Sequence, residues 1–423
     1  MDESFPFTGS LPPAADGAVE IVRTLVGAGH QALLAGGCVR DLLLGAEPQD
    51  YDVATDAPPA RVGALFRATR HVGAQFGVVL VKRRRRWIEV ATFRADGPYV
   101  DGRRPVQVTL SDARHDALRR DFTVNGMFLD PLAGRIVDYV GGRADLAARQ
   151  IRAIGDPVAR FDEDYLRLLR AVRFAARLGF PIEAATLAAI RTHAPTLAQV
   201  AAERVREELE KMLKHPARQE AWRLLHTCGL LPYLWPGAGW SDAQVRRVDT
   251  LLGRLPAAAP FEAALAILWA DRRAGEIERN ARAVTLSNEE RENALWLVAQ
   301  QGALDEPDAV PLAVLKRLMA HRAFATLVML AQARYGDRAD CAARRAVLAA
   351  RLDAIAPADV QPPPLVTGDD LIGRGLTPGP VFRHLLDELY TRQLDGRLAS
   401  REAALGALDE LVRTTLPEAE DRR

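Results

Sequence analysis

Two glycines and two aspartates near the N-terminus have the spacing expected of a site that binds a phosphate and a divalent cation. Gly36 and Gly37 follow an apolar run and precede a helix-like segment. The backbone there can approach a phosphate, whose charge a helix N-terminus favours, and Arg40 can bind the same oxygens. Asp50 and Asp52 are two residues apart, so on a strand their carboxylates share one face. Adjacent carboxylates repel each other unless a divalent cation such as Mg²⁺ lies between them.

Each of these patterns also has a structural interpretation. A glycine pair is common in turns, and two aspartates at this spacing are common in solvated loops. Glu89, in the β-rich run 87–93, can face the two aspartates or point to solvent. Within residues 163–178, polar side chains recur at every third position, which on a helix gives a slowly winding stripe. Its members are Asp164, Arg167, Arg170 and Arg173. This stripe either contacts a polar ligand or is a solvated face with ion pairs.

The elements that must position these residues change character along the chain. Residues 18–142 mix turns with short β-rich runs, and we predict strands at 33–35, 51–54, 77–81 and 87–93. From about residue 151 the segments are long, helical in period and rich in Ala, Leu, Arg and Glu. We predict helices at 163–178, 201–214 and 217–228, and a linker at the proline-rich run 357–364. The pattern predicts an α+β fold, with a small mixed-sheet head followed by an all-α remainder.

Composition restricts the class of protein. The chain has 423 residues, 48% of them hydrophobic, which excludes a disordered protein. Lys and Arg number 56 against 55 Asp and Glu, so no global basic field attracts nucleic acid. The positive charge is local instead. Residues 82–120 hold 11 Lys and Arg against 5 Asp and Glu, which favours an RNA- or phosphate-facing side there.

Cysteine usage and hydropathy indicate the compartment. Cys38, Cys228 and Cys341 are far apart and fit neither a disulfide framework nor the spacing of metal ligands. The N-terminus lacks an apolar leader, and no apolar run approaches the roughly 20 residues that cross a membrane. We therefore expect a cytoplasmic protein that is neither exported nor anchored.

Taken together, the motifs resemble those of a known family. Residues 36–45 match G-G-x-V-R-D-x-L-L-G and are followed by D-x-D at 50–52, with Gln49 in place of the usual lysine. Residues 119–127 match R-R-D-F-T-[IV]-N-[AG]-[ML], and residues 163–180 match E-D-x-x-R-x-x-R-A-x-R-F-A-A-R-L-G-F. The chain thus resembles the class II tRNA nucleotidyltransferases, or CCA-adding enzymes, and the related bacterial poly(A) polymerases. Both belong to the DNA polymerase β-like nucleotidyltransferase superfamily.

The resemblance implies an activity and a set of catalytic groups. The expected reaction is template-independent addition of CCA to the tRNA 3′ end from CTP and ATP, with release of pyrophosphate. Asp50 and Asp52 would bind Mg²⁺, and Glu89 would be a third catalytic carboxylate that helps the primer 3′-hydroxyl lose its proton.

Further residues are implied to bind the nucleotide. Gly37, Arg40 and Arg120 would contact phosphate, and Asp121 would accept a hydrogen bond from the ribose 2′-hydroxyl. Asp164 and Arg167 would form an amino-acid template for the base of CTP and then ATP. The same resemblance assigns triphosphate contacts to Arg170 and Arg173.

The family pattern also predicts a domain order, with a head at 1–150, a neck at 151–215, a body at 216–300 and a tail at 301–423. Segment 203–209 resembles a motif that supports the neck, and 366–380 resembles a tail that holds the tRNA elbow. The tRNA acceptor stem is the other expected contact, with the protein either a monomer or a homodimer.

Three alternatives remain. An enzyme that adds only A is compatible with the motifs, whereas the intact loop 94–105 argues against a CC-only enzyme. Segment 72–77 lacks the basic residues usual in bacterial poly(A) polymerases, which favours tRNA as substrate. A non-catalytic RNA-binding scaffold is disfavoured because the motif carboxylates are retained.

Overall fold

The structure, a computed structural model, describes residues 4–71, 77–97, 107–237, 239–336 and 338–415. Most of segment 72–77 and of loop 94–105 lies outside the described residues, so the inferences drawn from them stay predictions. The chain forms two compact units, one of Met1–Asp249 with Ala283–Thr285 and one of Thr250–Arg282 with Leu286–Arg423. None of the described helices has the length and apolar character that a membrane crossing requires.

An eight-stranded mixed sheet forms the core of the first unit, in the order β1-β10-β9-β2-β3-β6-β5-β4. Strands β7 and β8 pair separately. The strands are β1 (Ser4–Pro6), β2 (Ala32–Ala35), β3 (Asp52–Thr55), β4 (Thr69–His71), β5 (Val78–Arg83), β6 (Arg86–Thr92), β7 (Arg94–Asp96), β8 (Val108–Leu110), β9 (Phe128–Asp130) and β10 (Arg135–Val137). The four predicted strands are confirmed as β2, β3, β5 and β6.

The pairing of β3 with β6 is parallel, whereas the other neighbours in this sheet pair antiparallel. Alternation along β6 buries Ile88, Val90 and Thr92 on one face and leaves Glu89 exposed on the other. Because side chains alternate between the two faces, this pattern defines a core face and an open face of the sheet.

Helices follow and flank the strands. They are α1 (Asp16–Gly27), α2 (Gly37–Leu43), α3 (Pro59–Leu65), α4 (Ala113–Leu118), α5 (Gly142–Ala147), α6 (Pro157–Glu163), α7 (Arg167–Leu178), α8 (Ala184–His193), α9 (Ala202–Leu213), α10 (Arg218–Thr227), α11 (Leu231–Leu234), α12 (Asp242–Arg254), α13 (Phe261–Leu268), α14 (Ala274–Ala283), α15 (Asn288–Ala299), α16 (Leu312–Met319), α17 (Phe324–Tyr335), α18 (Cys341–Asp353), α19 (Pro357–Val360), α20 (Gly368–Ile372), α21 (Pro380–Leu394) and α22 (Arg401–Thr415). Beyond β10 the described residues contain no further strand, so the predicted α+β fold with a helical remainder is confirmed.

Two helix predictions were correct and a third was wrong at its start. Segments 201–214 and 217–228 form α9 and α10. The predicted helix 163–178 is interrupted, because α6 ends at Glu163, α7 begins at Arg167, and Asp164 is extended with φ −151° and ψ 103°. The Asp164 carboxylate accepts a hydrogen bond from the Leu166 backbone N–H. Asp164 therefore precedes the helical stripe instead of belonging to it.

The second unit is helical throughout its described residues and has its own apolar packing. Helix α13 is buried along nearly its whole length. Helices α20, α21 and α22 pack around a cluster that includes Leu371, Leu385 and Leu408. The predicted linker 357–364 was wrong in its first four residues, which form α19, because proline is compatible with the first position of a helix.

Candidate active site

One cavity of about 750 Å³ in the first unit brings together most of the residues predicted from the sequence. Ten of the eleven predicted site residues line it, from the ends of β2, β3 and β6, the segment after α4, and the region where α7 begins. They are Gly37, Arg40, Asp50, Asp52, Glu89, Arg120, Asp121, Asp164, Arg167 and Arg170. The eleventh, Arg173, does not line this cavity. It pairs instead with the buried carboxylate of Glu208, at 2.5 Å.

Three carboxylates occupy one edge of the cavity. The parallel register pairs Val53 with Val90, which places Asp52 beside Glu89, and Asp50 lies just before β3. None of these three carboxylates forms a hydrogen bond or ion pair with another residue of the described ranges. The carboxylates of Asp50, Asp52 and Glu89 thus lie close together, and within the described residues no Lys, Arg or His is bonded to them.

The electrostatics of Asp52 reflect this crowding. Asp52 lines the cavity and is in contact with solvent. Its carboxyl group is nevertheless partly desolvated by the surrounding protein. That burial, followed by the charge of Glu89, raises the pKa of Asp52 to about 6, with Arg120 opposing the shift and Asp50 adding to it. The ionised form of Asp52 is therefore disfavoured in the structure, and a bound cation would stabilise it by offsetting the negative charges.

The described residues form no dedicated metal cage. In the part of the chain that the structure describes, no three His, Cys, Asp or Glu side chains are arranged to hold a metal ion by themselves. Mg²⁺ commonly binds through one or two carboxylates plus substrate phosphates and water, a coordination that needs no such cage. Asp50 and Asp52 fit this mode.

The turn between β2 and α2 brings backbone close to Arg120. Gly36 has φ +73°, in the region that favours glycine, and a Cβ atom there would lie 2.8 Å from Nη1 of Arg120. Arg40 is buried and already has partners, because its guanidinium donates to Asn125 Oδ1 at 2.6 Å and to Asp41 Oδ1 at 2.6 and 2.8 Å. The absence of a side chain at Gly36 thus leaves space for Arg120, and Arg40 is fixed in the cavity wall by Asn125 and Asp41.

A buried aspartate that the sequence did not single out holds Arg120 in place. Asp116 accepts hydrogen bonds from Arg120 at 3.0 and 3.2 Å and from Arg119 at 2.5 and 2.9 Å. Burial raises the pKa of Asp116, but the two guanidinium groups outweigh it and lower the pKa below its ordinary value. The spacing of three and four residues along α4 was the available signal for this pairing.

Asp121 connects the sheet domain to α7. Its Oδ2 accepts two hydrogen bonds from Arg170, at 2.6 and 2.8 Å, and its Oδ1 accepts from the Phe122 backbone N–H and the Asn125 side chain. Burial raises the pKa of Asp121, but the Arg170 guanidinium and the hydrogen bonds outweigh burial and hold the pKa at about 2. Asp121 is therefore a carboxylate whose two oxygens both have protein partners.

The predicted base-recognising pair is held by separate partners. Arg204 donates to both oxygens of Asp164, at 2.8 and 3.0 Å, and itself lines the cavity. Arg167 donates to the backbone carbonyls of Arg119 and Arg160, at 2.9 and 2.8 Å, and pairs with Glu163. Both side chains are thus fixed in orientation at the cavity wall.

Several residues that line or support the cavity were not assigned from the sequence. Arg204 lay in segment 203–209, which had been interpreted only as a support for the neck. Arg177, one turn beyond Arg173 on α7, also lines the cavity. Neither residue stands out in composition or spacing, because both belong to helices in which arginine is frequent.

Known proteins match this chain over the same regions. Residues 32–152 match the family described as the poly A polymerase head domain, and residues 179–239 match a probable RNA and SrmB-binding site of polymerase A. The CCA-adding enzyme of Geobacillus thermodenitrificans is 40% identical over 71% of this chain and 73% of its own length. Alignments with other CCA-adding enzymes span only 53 to 59% of those proteins.

Solved structures match over nearly the whole chain. The CCA-adding enzyme of Bacillus stearothermophilus in complex with CTP has a TM-score of 0.82 and 31% identity, over 97% of this chain and 100% of that one. The Thermotoga maritima CCA-adding enzyme complexed with tRNA has a TM-score of 0.67 over 97% of this chain and 99% of that one. At 20% identity, the second likeness shows the fold alone.

We expect Asp121→Asn to lower the free energy of unfolding by about 3 kcal/mol at neutral pH, because it leaves Arg170 without its ion-pair partner. The pKa of Asp121 is lowered to about 2 in the folded protein, so its stabilising effect is complete above the ordinary value of 3.8 and is lost as pH falls. Urea unfolding of both proteins should therefore give a difference that is constant from pH 7 to about 4 and narrows below that. The exposed Asp308→Asn is the matched control. A difference that persists unchanged down to the lowest pH would contradict the prediction.

Proposed function

The chain belongs to the family of CCA-adding enzymes, and on that basis we propose that it adds CCA to the 3′ end of tRNA, using CTP and ATP and releasing pyrophosphate. The observation that carries this proposal is the single cavity in which the glycine turn, the carboxylate edge and the arginines of α7 meet. Such a cavity can hold a nucleoside triphosphate and present its α-phosphate to a hydroxyl group. Positioning and charge stabilisation are the main requirements of phosphoryl and nucleotidyl transfer.

We propose that Asp50 and Asp52 hold a divalent cation, Mg²⁺, together with the triphosphate. The proposal rests on two carboxylates without protein partners among the described residues and on the raised pKa of Asp52. A bound Mg²⁺ ion would polarise the α-phosphate and neutralise charge on the leaving pyrophosphate. Glu89, beside Asp52, would accept the proton of the primer 3′-hydroxyl as a third carboxylate.

The base would be read by Asp164 and Arg167. A carboxylate acceptor and a guanidinium donor complement the exocyclic amine and ring nitrogen that cytosine and adenine share, whereas uracil and guanine have the reverse pattern. Arg204 fixes the orientation of the Asp164 carboxylate by donating to both of its oxygens, so it is a positioning residue for this pair. Held side chains raise selectivity because a wrong base leaves buried polar groups without partners.

The phosphates and the ribose have separate candidates. Gly37, Arg40, Arg120 and Arg170 line the cavity and would contact the triphosphate. Asp121 would have to exchange one of the four hydrogen bonds that its oxygens now accept in order to accept from the ribose 2′-hydroxyl, and this assignment stays a prediction. A contact from Arg173 would require it to leave Glu208, and this assignment stays a prediction.

The remaining assignments concern the tRNA and the compartment. We propose a head at 1–150, a neck at 151–215, a body at 216–300 and a tail at 301–423, with the tail holding the tRNA elbow and a further contact at the acceptor stem. We also propose that the protein works in the cytoplasm. Its three free cysteines, two of them buried, support a reducing compartment.

The decisive experiment supplies three tRNA substrates, lacking the whole CCA end, ending in CC, or complete, with CTP and ATP separately and together. We expect addition of two C residues with CTP alone, completion with both nucleotides, and no extension of complete tRNA. Denaturing gels that resolve single nucleotides provide the measurement. Addition of A to tRNA ending in CC, with no incorporation of CTP into any substrate, would support an A-adding enzyme, and long A tracts on unrelated RNA would support a poly(A) polymerase.

Substituting one metal-binding carboxylate separates an enzyme from an RNA-binding scaffold. We expect Asp50→Ala to abolish CTP incorporation, by at least a thousandfold, while tRNA affinity stays within about threefold of wild type. Filter binding and single-turnover incorporation measure the two quantities on the same preparation. Equal incorporation by wild type and variant would refute the assignment of Asp50.

Releasing Asp164 from Arg204 should relax base selection. We expect Arg204→Ala to reduce the ratio of kcat/KM for CTP over UTP by about tenfold, within the range of 1 to 3 kcal/mol for a bidentate contact. Arg206→Ala, on the same helix but outside the cavity, is the matched control and should keep wild-type selectivity. A uniform loss of kcat/KM for all four nucleotides would indicate a purely structural role for Arg204.

Metal affinity should depend on pH through Asp52. Its pKa is raised to about 6, so protons compete with a cation below that value, and affinity should fall by up to about tenfold per pH unit. Binding of Mn²⁺ as a spectroscopic probe, followed by electron paramagnetic resonance without nucleotide, measures this dependence. Asp52→Asn should bind the probe weakly with little pH dependence between 5 and 7. Equal pH profiles for the two proteins would rule out Asp52 as a ligand.

A further inference from the structure

A basic and aromatic patch lies on the open face of the sheet, on the far side of Glu89 from β3. It consists of Arg70 on β4, Lys82 on β5 and Trp87 on β6, and we call it the β4–β6 patch. The Arg70 guanidinium lies 4.4 Å from the centroid of the Trp87 ring, and the Lys82 ammonium lies 5.8 Å from the same point. Trp87 remains 37% exposed, and both basic side chains are exposed. The patch is therefore an aromatic ring beside two positive charges, open to solvent.

The strand register places this patch on the same face as the catalytic carboxylates. Lys82 is directly opposite Trp87, and Leu80 is directly opposite both Glu89 and Arg70. Residues paired in this way, and those two positions along, point to the same face of a sheet. The residues between them on β5 and β6 are buried and point to the core on the other face. They are Val79, Val81, Ile88 and Val90.

Sheet order then relates the patch to the reaction. The glycine turn follows β2, Asp52 begins β3, Glu89 lies on β6, and the patch continues across β6, β5 and β4. If the triphosphate lies at the glycine turn and Arg120, the attacking 3′ oxygen must approach from the opposite side, because displacement at phosphorus is in line. That side is the one on which β6, β5 and β4 lie. Neighbouring strands are about 4.8 Å apart, so β4 is on the order of 10 Å beyond Glu89, a distance of one or two nucleotides.

We propose that the β4–β6 patch binds the 3′-terminal nucleotides of the RNA primer. This assignment rests on the proposed function. A nucleobase stacks against the Trp87 ring and the Arg70 guanidinium, and Lys82 contacts the adjacent phosphate. Aromatic rings and guanidinium planes are the usual stacking surfaces for unpaired RNA bases. Such stacking tolerates any base, which suits a primer whose last nucleotide changes from the discriminator base to C during the reaction.

The charges of the patch are available to RNA, unlike most of those nearby. Within the described ranges, no carboxylate pairs with Arg70 or Lys82. By contrast, Arg84 at the hairpin tip pairs with Asp16 and Glu20 of α1. Unpaired cations beside an exposed ring are complementary to a nucleic-acid backbone. Arg83 lies over the Phe66 ring, at 4.9 Å, so in the basic run 82–86 both Arg83 and Arg84 make contacts within the fold, whereas Lys82 lies beside the exposed Trp87.

The test compares Trp87→Leu and the double variant Arg70→Ala/Lys82→Ala with Arg143→Ala. The control is matched because Arg143 lies 4.2 Å over the Phe5 ring and is also exposed, but Phe5 is on β1, at the opposite edge of the sheet. The substrate is tRNA lacking CCA, with 2-aminopurine as its terminal nucleotide. Its fluorescence reports stacking, and incorporation of CTP gives KM for tRNA and for CTP separately.

We expect wild type and Arg143→Ala to quench the terminal 2-aminopurine and Trp87→Leu to leave it bright. Trp87→Leu should raise the KM for tRNA by between about fivefold and a hundredfold, the range that base stacking on an aromatic ring gives. The double variant should reduce the slope of log affinity against log salt by about 0.7, the value for the one contact to single-stranded phosphate that Lys82 makes. The KM for CTP should stay within twofold in all variants. Trp87→Phe should restore most of the quenching and of the tRNA KM.

The outcomes separate this proposal from the proposed function. If wild type adds CCA but the patch variants quench, bind and react like Arg143→Ala, the patch proposal is overturned and the function stands. If wild type incorporates neither CTP nor ATP, the function fails, and the quenching and salt measurements still decide whether the patch binds an RNA end. Circular dichroism and thermal unfolding verify that each variant is folded. A rise in the KM for CTP equal to that for tRNA would also count against the proposal, because it would indicate a general disturbance of the cavity.

Discussion

The buried ion pair between Asp121 and Arg170 is the contact on which the geometry of the cavity depends. Asp121 belongs to the segment that leads back into the sheet, and Arg170 belongs to α7, so the pair joins the segment of the proposed phosphate contact Arg120 to the helix that begins with the proposed base-reading residue Arg167. Asn125 extends the connection, because it donates to Asp121 and accepts from Arg40. The edge-to-face contact of Phe122 with Phe174 adds apolar packing beside the pair. A shift of α7 would therefore disturb the phosphate side and the base side of the cavity together.

The pKa values of two aspartates in the same cavity are shifted in opposite directions, and this difference indicates different roles for the two residues. Asp121 has a lowered pKa, because Arg170 and several hydrogen bonds stabilise its charge. Asp52 has a raised pKa, because burial and the neighbouring carboxylate of Glu89 outweigh the effect of Arg120. A carboxylate whose charge is already neutralised by protein groups, such as Asp121, holds those groups in position. A carboxylate that is not compensated keeps its affinity for a cation, and its neighbours on the open sheet face are the groups available for chemistry.

Local patterns in the sequence predicted four of the ten strands in the described residues and three of the helices, one of them with a wrong start. The motifs predicted ten of the cavity residues, and most of the roles given to them came from the family resemblance and not from spacing alone. Contacts between distant segments were not predictable in this way. The pairing of Arg204 with Asp164 joins residues 40 positions apart, and nothing in either segment specifies the partner. The extended conformation of Asp164 was missed for a similar reason, since a continuous helical pattern runs through it. The carboxylate's bonds to the Leu166 N–H and to Arg204 stabilise the break there.

Pairing also explains how a chain with almost equal numbers of acidic and basic residues presents positive charge to RNA. Around the cavity, Arg119 and Arg120 share Asp116, Arg170 pairs with Asp121, and Arg173 pairs with Glu208. In these pairs the carboxylate is buried, and the arginine offsets the free-energy cost of removing the carboxylate charge from water. The paired arginine charge is then largely neutralised and is not available to RNA. Arg70 and Lys82 have no such partner in the described part of the chain, and they lie on the open face of the sheet. The pairs of Arg170 with Asp121 and Arg173 with Glu208 are neutral, whereas Arg119 and Arg120 exceed Asp116 by one positive charge. The charge that RNA meets is therefore set by where cations outnumber carboxylates. A net charge of +1 is thus compatible with a strongly directional attraction for a polyanion.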